Sequence, residues 1–311
     1  MAPRPPAQPG TRTLTVRRWG RELGVAIEAA REAGRIQLER YERLERIVHK
    51  SEKDVVTEVD HLSEAAIIGT VRAAFPDDPF LAEESGHSGH SGLSGHSGPG
   101  HPLAGGGAAG GPSPDHPTDG SIASGPIDPG HRIWVVDPLD GTVNYANGIP
   151  HFCTSVGLVV GGRPTVGVVL DPVREDLFAA VAGQGAWLNG TRIRHPGKER
   201  LVDSVISLAL PGVRHALRDR RIRKAVRVAR SMGSSALGLS WVGNGRFDAL
   251  IQLRGMSLWD IAAAGLIASE AGATVTDAAG GPWFDPSSKA RECSIVAAGP
   301  AHHARYLELL R

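Results

Sequence analysis

The chain has 311 residues, 41% of them apolar, and a net charge of +1 from 34 basic and 33 acidic side chains. That suffices for one large domain or two joined halves with a substantial core, and the basic residues are not bunched into a nucleic-acid footprint. No apolar run approaches the roughly 18 residues of a membrane span, and Cys153 and Cys293 alone make no disulfide framework, so a cytoplasmic protein with no membrane partner is expected.

MAPRPPAQPGTR carries Pro and Arg but no apolar stretch, so residues 1–12 read as a disordered tail rather than a secretory signal. Over 13–46, Leu23, Ile27, Ala30, Gly34 and Leu38 recur at helical spacing among Arg and Glu, which predicts a long amphipathic helix. A second helix is expected over 58–74 with Leu62, Ala66 and Ile67 inward, then a short strand in PFLAEESG that stops at Glu83 and Glu84. Residues 86–130 hold fourteen of the forty glycines, a ragged His-Ser-Gly repeat, and no Lys, Arg, Phe, Trp or Tyr. Such a segment has too little apolar surface to offset its ordering entropy, so it reads as a disordered insertion in an otherwise single domain over 13–311. Its histidines are a loose Zn²⁺ or Ni²⁺ site at most.

Beyond the insertion, HRIWVVD, CTSVGLVVGG, PTVGVVLDP and EDLFAAVAG read as strands of an antiparallel meander, and GQGAWLNGTRI as a hairpin with Asn189-Gly190 at its tip. From residue 200 strands (SVISLAL, FDALIQL, ATVTD, CSIVAAG) alternate with helices. The helices are a basic one over 214–230, SSALGLSWVGNG, SLWDIAAAGLIASEAG ending at Gly272, and PAHHARYLELL. The class is α/β or α+β with stacked layers.

Carboxylates gather at four element ends. In WVVDPLDGTVNY, Pro138 bars a regular helix and Gly141 permits a tight turn, so Asp137 falls at the end of a buried strand and Asp140 near a helix start. Asp137, the Leu139 carbonyl and Asp140 are three oxygen donors suited to a hard cation such as Mg²⁺, and the Gly141 and Thr142 amides lie where a helix start can hold phosphate. DVVTEVD sets Asp54 and Thr57 before a helix and Asp60 in its first turn; AEES ends a strand on Glu83 and Glu84; LWDIAAAG puts Asp260 after a Trp and before a run of small residues. Helix capping, Asx-turns or solvation account for each alone. Together, carboxylates beside apolar runs with no Lys or Arg next to Asp137, Asp140 or Asp260 point to two or more Mg²⁺ ions.

These motifs, in this order, resemble those of the inositol monophosphatase family. The central pattern W-x-x-D-P-[ILV]-D-G-T-x-N-[FY] is met at every position, and WDIAAAGLIASEAGA resembles the family's C-terminal motif. The resemblance covers about 14–310 apart from the insertion. It implies a layered αβαβα sugar-phosphatase fold, Mg²⁺-dependent and Li⁺-sensitive phosphomonoester hydrolysis, and a homodimer. Carried over, Glu83, Asp137 and the Leu139 carbonyl hold one metal, and Asp137, Asp140 and Asp260 a second; Glu83 helps with a weaker third. Thr142, paired with Asp54, orients the attacking water, and the Gly141 and Thr142 amides hold the phosphate. The substrate hydroxyls fall to a loop at SMGSSAL, with Gly233 and Ser235, and to Asp260 and an acid that this chain lacks. Gln252 or Leu253 stands in that acid's place, followed by Arg254. The expected substrate is a small polyol or sugar phosphate, myo-inositol 1-phosphate first, with histidinol phosphate, fructose 1,6-bisphosphate or a nucleotide phosphate as alternatives. The reading from another class is an idle scaffold that binds a protein or RNA through the basic helix.

Overall fold

The computed structural model describes residues 16–43, 47–51, 54–88, 131–210 and 212–311, with backbone alone at 47–51, 54–55 and 87–88. The elements in order are α1 (Gly20–Arg40), β1 (Ile47–Ser51), β2 (Asp54–Thr57), α2 (Glu58–Ala74), β3 (Phe80–Ala82), β4 (Gly86–Ser88), β5 (Arg132–Asp140), α3 (Thr142–Ala146), β6 (Cys153–Val160), β7 (Arg163–Asp171), β8 (Asp176–Val181), β9 (Gly185–Leu188) and β10 (Thr191–Ile193). Then follow β11 (Val205–Ala209), α4 (Ala216–Ala225), β12 (Val228–Arg230), α5 (Ser235–Asn244), β13 (Ala249–Met256), α6 (Leu258–Glu270), β14 (Thr274–Thr276), β15 (Cys293–Ala298) and α7 (Pro300–Leu310).

Because successive strand residues face opposite sides, the largely apolar β5–β8 bury both faces. One face of the eight-stranded sheet, ordered β10-β9-β8-β7-β6-β5-β3-β4, packs Trp134, Val136, Val156, Leu158 and Val168 on α1 and α2. Its other face packs Ile133, Val135, Val169 and Phe178 against α5 and α6, whose far side meets Leu250, Ile295 and Ala297 of a second sheet. That sheet, β12-β11-β13-β15-β14, closes on α4 and α7 through Ile206, Ile251, Val296, Ile222 and Tyr306. The layers therefore run helix, sheet, helix, sheet, helix, the expected αβαβα arrangement.

The small residues of α6 have a packing cause. Gly157 and Gly167 face each other across β6 and β7, and a Cβ on Gly167 would stand 2.7 Å from the Ala263 carbonyl oxygen. Two glycines and an Ala-rich helix bring α6, and Asp260 at its start, down onto the large sheet.

Four local expectations differ from the structure. The first helix starts at Gly20 and stops at Arg40, and the chain then forms the β1–β2 hairpin, Ile47 opposite Thr57, where the helical pattern was extended to residue 46. The inward face of α2 is Val59, Asp60, Ser63, Glu64, Ile67 and Val71, while Leu62 is exposed, since the site needs the polar side of this helix. Gly86–Ser88, assigned to the insertion, pair with β3 as an edge strand. The basic helix ends at Ala225, and Val228–Arg230 instead extend the second sheet beside β11, as suits a β-branched Val226-Arg227-Val228 run. The rest of the insertion, 89–130, and the 1–12 tail lie outside the described residues.

Candidate active site

The site grows from the end of β5. Its ladder to β6 shifts register between Asp137 and Asp140, so a bulge around Pro138 turns both aspartates inward. The bulge is pinned from α1: buried Gln37 donates to the Pro138 carbonyl and to Thr154 Oγ1, both at 2.7 Å. The Leu139 amide donates to Asp137 Oδ1 at 3.0 Å. Gly141 then takes φ 97°, and a Cβ there would meet the His151 carbonyl at 3.0 Å, so the turn into α3 requires glycine. Beneath it Tyr41, Tyr145 and Phe152 stack, and the Tyr145 hydroxyl donates to the Gln37 carbonyl.

Asp140 and Asp260 arrive from the two sheets and are each held at a helix start. Asp140 Oδ2 accepts from Ser234 Oγ at 2.5 Å and from the Ala236 amide at 2.7 Å, at the first turn of α5. Asp260 closes a capping box on α6, accepting from the Ser257 amide at 2.6 Å. One carboxylate oxygen each from Asp137, Asp140 and Asp260 lies within 4.8 Å of the others. Burial first, then the Glu83, Asp140 and Asp260 charges, pushes the Asp137 carboxyl well up from its ordinary range. Burial raises Asp140 as well, against the pull of Ser234 and the α5 amides. Burial and the Asp140 charge push Asp260 up to about 7, opposed by the Ser257 amide and Arg291. Glu83 lies in the turn after β3 and bonds toward Asp137; its neighbour's amide, that of Glu84, donates to buried Glu64 at 2.8 Å.

The donor set is therefore three convergent carboxylates, Asp137 wholly buried, all three raised by burial and Asp137 and Asp260 also by neighbouring carboxylate charge. At an effective dielectric of about 20, two unit charges roughly 4 Å apart repel by about 4 kcal/mol. A divalent cation removes that repulsion, and all-oxygen donors suit a hard ion, so these residues fit a divalent-metal site.

Thr142 begins α3, and its hydroxyl proton lies between Leu139 O at 2.9 Å and Asp60 Oδ1 at 3.0 Å. Among the described residues the acid bonded to Thr142 is Asp60; the side chain of Asp54, the partner expected from the resemblance, lies outside the described residues. Asp60 is fully buried and its other oxygen caps α2, taking the Thr57 amide at 2.8 Å and the Thr57 hydroxyl at 2.7 Å. A T-x-x-D capping signature read only as capping hid this second role. The loop at 231–237 adjoins α3: Asn144 Nδ2 donates to the His151 and Met232 carbonyls, and Gly233, at φ 80°, has no room for a Cβ beside Asn144. Ser235 Oγ donates to Gln252 Oε1 at 3.1 Å, so these two expected recognition residues do meet. Gln37, Glu64, Asn144 and Ser234 were not singled out; the signal for Gln37 was a polar residue on the Ala30–Ala33–Gly34 stripe of α1.

Residues 21–311 match the model of the Inositol monophosphatase family. The chain belongs to that family. Nus factor SuhB of Pasteurella multocida is 36% identical over 287 residues, 89% of this chain and 91% of that protein. Inositol monophosphatase 1 of Solanum lycopersicum is 33% identical over 296 residues, 93% and 94% of the two chains. The crystal structure of the extragenic suppressor protein SuhB from Bartonella henselae superposes with a TM-score of 0.75 at 28% identity, covering 94% of this chain and 98% of that one. With the acidic cluster in place, this member of the inositol monophosphatase family is a Mg²⁺-dependent phosphomonoesterase. Among the described residues no helix is long and apolar enough to cross a membrane.

Proposed function

We propose that the site hydrolyses the phosphomonoester of a small polyol or sugar, with myo-inositol 1-phosphate the first compound to try, and that it works with two or three Mg²⁺ ions. The observation that carries the reading is the convergence of Asp137, Asp140 and Asp260 beside a Thr142 hydroxyl bonded to a buried acid. Glu83, Asp137 and the Leu139 carbonyl would hold one ion, and Asp137, Asp140 and Asp260 another. Bound Mg²⁺ acidifies water and stabilises charge on the attacking and leaving oxygens of an in-line displacement.

The chain's own residues do the rest. With its hydroxyl donating a hydrogen bond to Asp60, Thr142 Oγ1 presents lone pairs that accept a proton from the attacking water. As that water loses its proton, it passes to Oγ1 and the hydroxyl proton moves on to Asp60 Oδ1. The Gly141 and Thr142 amides at the start of α3 orient the phosphate. Gly233 and Ser235 bound the side where the alcohol leaves, with Gln252 held by Ser235 to accept from a hydroxyl and Asp260 close enough to take another. The names of the tomato relatives support an inositol phosphate; Gln252 and Leu253, in place of an acid, leave room for other polyols. The same family reading makes the working unit a homodimer, which light scattering tests. Phosphate release from a panel of phosphomonoesters, with Mg²⁺ and with EDTA, tests the function: inositol 1-phosphate should be turned over with Mg²⁺ only. Equal release in EDTA would overturn it.

A further inference from the structure

The charge of this chain is balanced in sum but not in space. Residues 213–230 hold eight Lys or Arg and one acid, Asp219, while the whole chain carries only +1, so the remainder is net acidic. The stretch makes the turn before α4, α4 itself and β12. Two of its eight cations are neutralised: Arg223 meets Asp219, and Arg227 meets Asp203. Among the described residues no carboxylate pairs with Arg214, Arg218, Arg220, Arg221, Lys224 or Arg230. Ile222 faces inward with Tyr306 and Leu310 of α7. Leu217, Arg220, Arg221 and Lys224, spaced three and four apart, therefore share the outward face, and all four are exposed.

The same stretch carries two apolar side chains that a merely solvated basic helix does not need. Val213 is 93% exposed and Leu217 is 70% exposed, the two most exposed large apolar residues among those described. Exposed aliphatics scattered singly are ordinary. Here they stand four residues apart at one end of the basic face. The charge calls for an anionic partner, and the apolar pair decides which kind. Proteins hold single-stranded RNA by stacking its bases on aromatic rings, and residues 213–230 contain no Phe, Trp or Tyr. A duplex presents a phosphate backbone that gives two aliphatic side chains nothing to bury against. An anionic bilayer supplies both needs: headgroup phosphates and carboxylates for the guanidinium groups, and an acyl boundary for Val213 and Leu217.

We propose that the outer face of α4, led by Val213 and Leu217, docks on an anionic lipid bilayer as a peripheral contact. Such a contact needs no membrane-spanning helix and does not rest on the phosphatase reading. Co-sedimentation of the full chain with vesicles tests it, using phosphatidylcholine alone and phosphatidylcholine with roughly one-third phosphatidylserine. The wild type should bind the anionic vesicles about tenfold or more tightly than the neutral ones, and less so as salt is added. Arg220→Gln/Arg221→Gln/Lys224→Gln should lose most of that preference. Arg17→Gln/Arg31→Gln/Arg163→Gln, which removes the same net charge from exposed positions on other elements, should keep most of it. Val213→Ser/Leu217→Ser should weaken vesicle binding by about threefold to tenfold with the charge untouched. All the substituted side chains lie on the surface, and a thermal melt of each variant checks that it folds. The same proteins titrated with poly(U) separate a bilayer from RNA. Poly(U) bound more tightly than the vesicles, with no loss in Val213→Ser/Leu217→Ser, would assign the face to RNA and overturn the proposal. So would equal binding to neutral and anionic vesicles, or a folded α4 triple variant that keeps the wild-type preference.

Discussion

Asp137, Asp140 and Asp260 at one end of the site are gripped by backbone amides and a serine hydroxyl, whereas Gln252, Leu253 and Arg254 at the other end are half-buried or exposed and touch few fixed partners. The contrast follows from solvation. A buried carboxylate left without partners or a cation is costly, so each of the three aspartates at the metal end is tied by one oxygen to a bulge, a helix start or a capping box. At the recognition end water can replace a lost contact, so side chains there change without unfolding the protein. The metal end therefore speaks for the reaction, and the recognition end for the substrate.

The largest effects should come from the metal end. Asp140→Asn and Asp260→Asn each remove a charge from the shared ion; kcat should drop by about 10³-fold and the Mg²⁺ needed for half-maximal rate should rise steeply. Initial rates over a Mg²⁺ titration read both. Thr142→Ala should cost about 10²-fold in kcat with little change in Mg²⁺ requirement, as expected for a group that handles a proton. Asp60→Asn should match it in rate and also weaken the α2 cap by about 1 kcal/mol, seen as a lower Tm. A fully active Asp60→Asn would send the proton elsewhere and blur the line between the two ends.

Stability of the metal-free protein gives a further test with a definite sign. The site carboxyls are raised in the folded state, Asp260 from 3.8 to about 7. Between those values the folded chain holds a proton that the unfolded chain has released, so stability falls as pH rises through this window. In EDTA the Tm should decline from pH 4 to pH 7, and millimolar Mg²⁺ should raise it most at the upper end, because the ion binds the folded state. A Tm indifferent to Mg²⁺ at pH 7 would remove the metal site. The smallest effect belongs to the recognition end: Gln252→Glu should raise the preference for inositol 1-phosphate over a glycerol phosphate by about threefold to tenfold, measured as a kcat/KM ratio.

Much of this was legible in the sequence because local rules and the tertiary structure agree. In Asp137-Pro138-Leu139-Asp140-Gly141-Thr142 residue chemistry alone announces the glycine turn and the helix start, while the bulge between Asp137 and Asp140 shows only in the register of β5 against β6. Asp260 follows from an N-terminal capping pattern on an Ala-rich helix. Where the reading failed, the deciding contact was distant in sequence. Nothing local says that Asp60 on α2 and Thr142 on α3 face each other across 82 positions, so Asp60 read as a helix cap alone; Asp54, which the resemblance pairs with Thr142, has no described side chain. The α1 pattern ran on past Arg40 because Arg and Glu at 42–46 suit a helix surface as well as a turn, and the β1–β2 pairing that follows is a matter of cross-strand register.

The central claim is that the buried carboxylates are a metal site that hydrolyses phosphomonoesters, and it is tested most directly by measuring inorganic phosphate released from inositol 1-phosphate and the sugar phosphates by wild type and Asp260→Asn across a Mg²⁺ titration. The account predicts turnover that starts from nothing in EDTA, saturates with Mg²⁺ in the wild type, and in Asp260→Asn is far weaker and needs much more Mg²⁺. Turnover that ignores Mg²⁺, or an Asp260→Asn protein that titrates like the wild type, would contradict it.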